Sequence, residues 1–181
     1  MLYLMAAVIM VGMVCVLDLV LTLGVIKRLR EHSEILAGGE SLPHGLKAGD
    51  QVGAFSTVDV EGDRLDGDNF LAGTLVGFFS VGCQPCRTML PQFVERARTM
   101  PGGMDRVVAV VAGAAADAAD FVAALRPVAR VVLEGYDGEL STAFKVKGYP
   151  SVLMVAPGPD GRLLVTADTV DLNQAVLAAA A

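Results

Sequence analysis

The sequence predicts an α/β domain built on a mixed sheet with flanking helices, preceded by one N-terminal transmembrane helix. Three observations carry this expectation. Residues 2–26 are apolar apart from Asp18 and Thr22. Two uninterrupted apolar runs, one starting at Thr74-Leu75-Val76-Gly77-Phe78-Phe79 and one centred on Val107 to Ala112, suit strands buried on both faces. Around them strand and helix patterns alternate, which predicts parallel pairing with right-handed crossovers, and a final pair of strands closes as an antiparallel hairpin.

At the N-terminus, Leu2 to Ile26 exceeds the roughly 20 residues that a helix needs to cross a bilayer. The basic start and small-residue cleavage site of a removed signal peptide are not evident, so the segment reads as a retained anchor. Cys15 follows bulky Val14, with Gly12 where lipoprotein signals prefer leucine; it reads as a small apolar residue of the membrane helix. Asp18 is costly in lipid. Either the span ends early and Asp18 lies near the headgroups, or it makes a polar contact with a partner helix. Lys27 to Leu36 can continue as a helix that Gly38-Gly39 ends. Glu40 to Asp50, with Pro43, Gly45 and Gly49, reads as a linker. The expected organisation is an anchor over 1–26, a juxtamembrane helix and linker over 27–45, and a folded domain over 46–181.

Within that domain Ala54 to Val60 is a first strand, turned by Glu61-Gly62-Asp63. Thr74 to Ser80 is a central strand. Pro85 to Met100 is a helix, with Met89, Leu90, Phe93, Val94 and Ala97 on one apolar face. Arg106 to Ala112 is a second buried strand, Ala115 to Leu125 an alanine-rich helix, Ala129 to Leu133 a short strand and Asp137 to Phe144 a short helix. Ser151 to Ala156 and Leu163 to Ala167 are strands joined across Pro157-Gly158-Pro159-Asp160-Gly161. Asp171 to Ala179 is a closing helix with Asp171 as its cap.

The net charge of −6 and the lack of a basic patch exclude a nucleic-acid partner. Three cysteines cannot staple a chain of 181 residues, so this is not a disulfide scaffold. Two of them form Cys83-Gln84-Pro85-Cys86, at the junction of a predicted strand and a predicted helix. A helix N-terminus concentrates partial positive charge and unpaired N–H groups. Such a setting lowers a cysteine pKa from about 8.5 towards neutrality, and the thiolate is the attacking species. A second thiol one turn on can resolve a mixed disulfide. The same spacing also suits a structural disulfide or half of a zinc site. A closed zinc site needs two more ligands; His32, His44 and Cys15 remain, none near in sequence.

The element order, with CxxC at the start of the first main helix, resembles the thioredoxin fold over Leu46 to Ala181. Anchor and domain together resemble the membrane-tethered TlpA/ResA-type thiol–disulfide oxidoreductases. The apolar start and the charged juxtamembrane helix also resemble MauD-type accessory proteins of methylamine dehydrogenase maturation. Pro91, five residues after Cys86, falls on the family's helix proline, and Pro150 in Gly148-Tyr149-Pro150-Ser151 falls on its cis-proline. The resemblance implies that Cys83 and Cys86 are the catalytic pair and that Gln84 and Pro85 tune its redox chemistry. It implies that the backbone at Tyr149 and Pro150 lies beside the thiols and binds an extended substrate. No cofactor is implied beyond the Cys83–Cys86 disulfide, and no metal. Three positions depart from the family: Gly82 replaces the tryptophan usual before the first cysteine, Gly77 replaces a buried acid, and Tyr149 is larger than the residue often found before the cis-proline.

The expected activity is exchange with protein thiols and disulfides, as a reductase by family habit. The expected partners are those protein substrates and a membrane protein that donates electrons. The alternative is a maturation or assembly factor, MauD-like or copper-handling, that binds a membrane partner with little turnover; two thiolates suit Cu(I). A peroxidase on the same fold would place threonine where Ser80 stands. The resemblance places the domain outside the cytoplasm, whereas Lys27, Arg28 and Arg30 after the apolar segment predict the opposite by the positive-inside rule.

Overall fold

The computed structural model describes residues 45–172 together with Met1, Tyr3, Met10, Gly12 and Met13. The chain divides into two compact units, Met1–Glu40 and Ser41–Ala181; the fold described is that of the second. Most of the anchor, the juxtamembrane helix and most of the closing helix expected over Asp171 to Ala179 lie outside the described residues. Among the described residues no helix is long and apolar enough to cross a membrane.

The elements in chain order are β1 (Ser56–Val58), β2 (Arg64–Asp66), β3 (Thr74–Ser80), α1 (Gln84–Arg98), β4 (Val107–Ala112), α2 (Ala119–Leu125), β5 (Arg130–Glu134), α3 (Glu139–Ala143), β6 (Ser151–Pro157) and β7 (Leu163–Ala167). The main sheet has five strands in the order β5-β4-β3-β6-β7. β3, β4 and β5 run parallel, while β6 pairs antiparallel with both β3 and β7. Every residue of β3 and β4 is buried, as their unbroken apolar runs require of strands covered on both sides.

Strand alternation sends successive side chains to opposite faces. Leu75 and Phe79 of β3 pack with Val107, Ala109 and Val111 of β4 beneath Phe93 and Ala97 of α1 and Phe121 and Leu125 of α2. Val76 and Phe78, with Val108 and Val110, pack on the other face against Leu140, Ala143 and Phe144 around α3. Phe78, Phe79, Phe93, Phe121 and Phe144 are fully buried. Each contributes on the order of 2 kcal/mol by leaving water. Helices therefore flank the sheet on both faces, as expected.

The first strand departs from expectation. It is three residues long and does not join the main sheet; it pairs with β2, which the pattern did not reveal, in a separate two-stranded hairpin. The hairpin is held to β5 by the Val60 N–H bond to the Val131 carbonyl (2.8 Å) and by an ion pair from Asp59 to Arg130 (3.0 Å). Asp59 also accepts from the backbone N–H groups of Glu61 and Asp63, which satisfies a carboxylate that is almost wholly buried. At the other edge, residues 49–52 bond to β7. Both outer strands are thus partly covered, which blunts their tendency to pair with other chains.

The alanine-rich helix is also shorter than expected. Residues 115–117 form a 3-10 turn, and α2 begins only at Ala119. No side chain caps either start, so the alanine run continues no regular helix through Ala118.

Candidate active site

β3 delivers the chain to its C-terminal end at Ser80, and the Cys83 N–H turns back onto the Ser80 carbonyl (3.1 Å). That turn is braced by Gly113, just after β4. Its φ of +140° is one that residues with a Cβ rarely adopt, and a Cβ there would collide with the Val81 side chain. Cys83 is the N-cap of α1, in extended conformation, with Gln84 and Pro85 as the first helical residues. Proline in the first turn lacks only an N–H that would have no intrahelical partner. Pro91 lies inside α1.

Cys83 and Cys86 are joined as a disulfide. The Cys86 N–H donates to Cys83 Sγ over 3.1 Å, so the capping atom of the helix is the first sulfur itself. Backbone N–H donation and the positive end of α1 both favour negative charge on that atom once the disulfide opens. The two cysteines differ in access: Cys83 is half-buried, whereas Cys86 is 0% exposed and packs among Phe79 and Phe93. Gln84 and Pro85 are exposed on the rim. Gly82 is exposed too, and a Cβ there would meet no neighbour within 4 Å, so the position usual for tryptophan stands open. Gly77 is filled differently, because the Phe93 ring occupies the space beside it.

The segment before β6 closes the other side. The Tyr149–Pro150 bond is cis. The Tyr149 carbonyl oxygen lies 3.4 Å from Cys83 Sγ. In the disulfide Cys83 has no proton to give, so this contact becomes an S–H···O bond only in the dithiol. The Tyr149 hydroxyl shares a hydrogen bond with Ser141 (3.2 Å), and burial pushes its phenol above the usual tyrosine value. Ser141 belongs to α3, whose first N–H groups, at Leu140 and Ser141, donate to the Glu134 carboxylate over 3.0 and 2.8 Å. The acid at the end of β5 thereby anchors the helix that holds Tyr149.

The structure thus brings Cys83, Cys86, Tyr149 and Pro150 together, with Gln84 and Pro85 at their edge. It adds Glu134, Ser141 and Tyr136, which no spacing in the sequence singles out. Tyr136 packs edge-on to Tyr149, and its hydroxyl accepts from Ser80 (3.3 Å). Among the described residues no group of three or more His, Cys, Asp or Glu side chains gathers to hold a metal ion.

No family model matches the sequence, and no curated protein matches it. Solved structures do. A thioredoxin domain of a thiol-disulfide oxidoreductase from Bacteroides vulgatus superposes with a TM-score of 0.51 at 20% identity, over 66% of this chain and 87% of that one. A thiol-disulfide oxidoreductase from Bacteroides fragilis gives 0.52 at 13% identity, over 67% and 91%. A thiol:disulfide interchange protein from a Bacteroides species gives 0.50 at 19%, over 68% and 81%. The domain has the thioredoxin fold. At these identities the likeness is one of fold. Within the thioredoxin fold, the CxxC disulfide of this chain sits at the N-terminus of α1 and faces the cis-proline segment.

Proposed function

We propose that this protein is a thiol–disulfide oxidoreductase that acts on protein disulfides through Cys83 and Cys86. One observation carries the reading: a CxxC disulfide at a helix N-terminus whose first cysteine is partly exposed and whose second is fully buried. In the dithiol form, Cys83 thiolate attacks one sulfur of a substrate disulfide. A Cys83–substrate disulfide forms and the other substrate thiolate leaves. Cys86, deprotonated, then attacks Cys83 Sγ and releases the second substrate thiolate. Two electrons pass to the substrate, and the Cys83–Cys86 disulfide is regenerated. A dithiol protein must reduce it for the next cycle, and a membrane partner fits that role.

The Tyr149 and Pro150 backbone binds the extended substrate beside Cys83, while exposed Gln84 and Pro85 tune the pair without adding charge. The apolar run 2–26 tethers the domain to the membrane, with Cys83 on the extracytoplasmic side.

The test is reduction of a disulfide-bonded protein substrate by the dithiol-primed full-length chain. Exchange lost in Cys83→Ser supports the reading; exchange retained there sinks it. Location is tested separately, by labelling Cys86→Ser in intact cells with an impermeant thiol reagent after mild reduction. Labelling only after lysis would place the domain in the cytoplasm and leave the exchange chemistry standing.

A further inference from the structure

Tyr136 lies in the loop between β5 and α3, and 57% of its surface is exposed. Its position is nonetheless fixed at both ends. Its hydroxyl bonds to Ser80, whose carbonyl accepts the Cys83 N–H. Its ring meets Tyr149 at 6.2 Å between centroids and 67° between planes, and the Tyr149 carbonyl lies against Cys83 Sγ. Two separate chains of contact from Tyr136 therefore end on the reactive cysteine. The loop that carries it is closed by Glu134, which binds the start of α3. An exposed aromatic ring with a fixed position offers large apolar area at little cost in conformational entropy when something docks on it.

We infer that Tyr136 is a specificity-determining residue of the exchange site. With Tyr149 it forms an aromatic shelf that receives an apolar or aromatic side chain next to the reacting cysteine of a polypeptide. The inference rests on the exchange activity proposed above and names its substrate class.

The experiment uses the reduced full-length chain and three probes activated as 2-pyridyl disulfides. One is a peptide with phenylalanine beside its cysteine, one is the same peptide with alanine there, and the third is the small hydroxyethyl compound. Attack by Cys83 forms the mixed disulfide and releases pyridine-2-thione, which is read by its absorbance. The wild type is expected to attack the phenylalanine peptide about tenfold faster than the alanine peptide, as one aromatic contact of about 1.4 kcal/mol would give. Tyr136→Ala is expected to bring that ratio close to one, and Tyr136→Phe to keep it, since the ring supplies the contact. A ratio in Tyr136→Ala equal to that of the wild type, with both rates lowered alike or neither lowered, overturns the shelf. So does a wild type that attacks the hydroxyethyl probe but shows no preference between peptides, which leaves the exchange reading intact. A reduced wild type that attacks none of the three overturns both.

Discussion

The ring of Phe93 stands where a side chain at Gly77 would have to go. A Cβ at Gly77 would lie 2.5 Å from Phe93 Cε2 and 2.8 Å from Cζ, far inside contact distance, and both rings that crowd it belong to the packed core. The glycine that replaces the buried acid is thus not an empty position, because an aromatic ring from α1 has taken its volume. Gly77→Ala is expected to destabilise the domain by about 1–3 kcal/mol through overpacking. Gly77→Asp should cost more, because its carboxylate would be buried with no partner. Urea unfolding checks both. In a double-mutant cycle, Phe93→Ala should relieve part of the Gly77→Ala loss. Strictly additive losses would show that the ring is not what excludes the side chain.

The unequal exposure of the two sulfurs sets the order of events. Cys83 is partly exposed, whereas Cys86, in the first turn of α1, is fully buried among Phe79 of β3 and Phe93. Cys86→Ser is therefore expected to stop after the first attack and to accumulate a mixed disulfide between Cys83 and the substrate. Non-reducing electrophoresis with mass spectrometry reads this directly. Accumulation of the complex in Cys83→Ser instead, through Cys86, would reverse the assignment.

What the sequence made legible follows from where the physical signal is local. β3 and β7 were found to the residue, because each is a short apolar run bounded by turn residues. β2 was hidden: of its three residues only Leu65 is apolar and buried. That β1 leaves the main sheet depends on backbone pairing, which composition does not encode. Six of the eleven residues 115–125 are alanine, which favours a helix throughout the run, so the pattern could not mark the 3-10 turn that delays α2. In the site, the cysteines announced themselves by spacing, and Pro150 by resemblance. Ser80 and Tyr136 meet across 56 positions, and nothing in either's neighbourhood points to the other. The acid at Glu134 matters only because the fold turns α3 towards it.

The Asp59–Arg130 pair fastens the β1–β2 hairpin to β5. The Asp59 side chain is 3% exposed and that of Arg130 19%. Removing one partner of so enclosed a pair strands the other charge. Asp59→Ala also frees the N–H groups of Glu61 and Asp63 that the carboxylate holds. The expected loss is about 3 kcal/mol, read from chemical denaturation. By contrast, the exposed Glu61–Arg126 pair nearby should contribute little, although Arg126 holds the Glu61 carboxyl below its usual value. Equal losses from Asp59→Ala and Glu61→Ala would show that burial is not what makes the first pair matter.

The phenol of Tyr149 gives the site a signature in alkaline solution. Burial raises its pKa, only partly offset by the Ser141 hydrogen bond, and the carboxylates of Glu134 and Asp137 push the same way. In the unfolded chain the group ionises near about 10. Its folded value is higher, so the native state keeps a proton that the unfolded state gives up. The associated stability is fully present below the unfolded value and is lost as pH rises through the folded one. Tyr149→Phe has no proton to lose. The wild type's stability relative to this variant should therefore be constant near neutrality and fall above about pH 10. The chain has three tyrosines, so the wild-type tyrosinate absorbance minus that of Tyr149→Phe isolates this one. Its midpoint is expected above that of free tyrosine, and Ser141→Ala should raise it further, because the hydrogen bond is the contribution that lowers it. A midpoint at or below the free value would mean that the ring is not enclosed between α3 and the cis-proline segment.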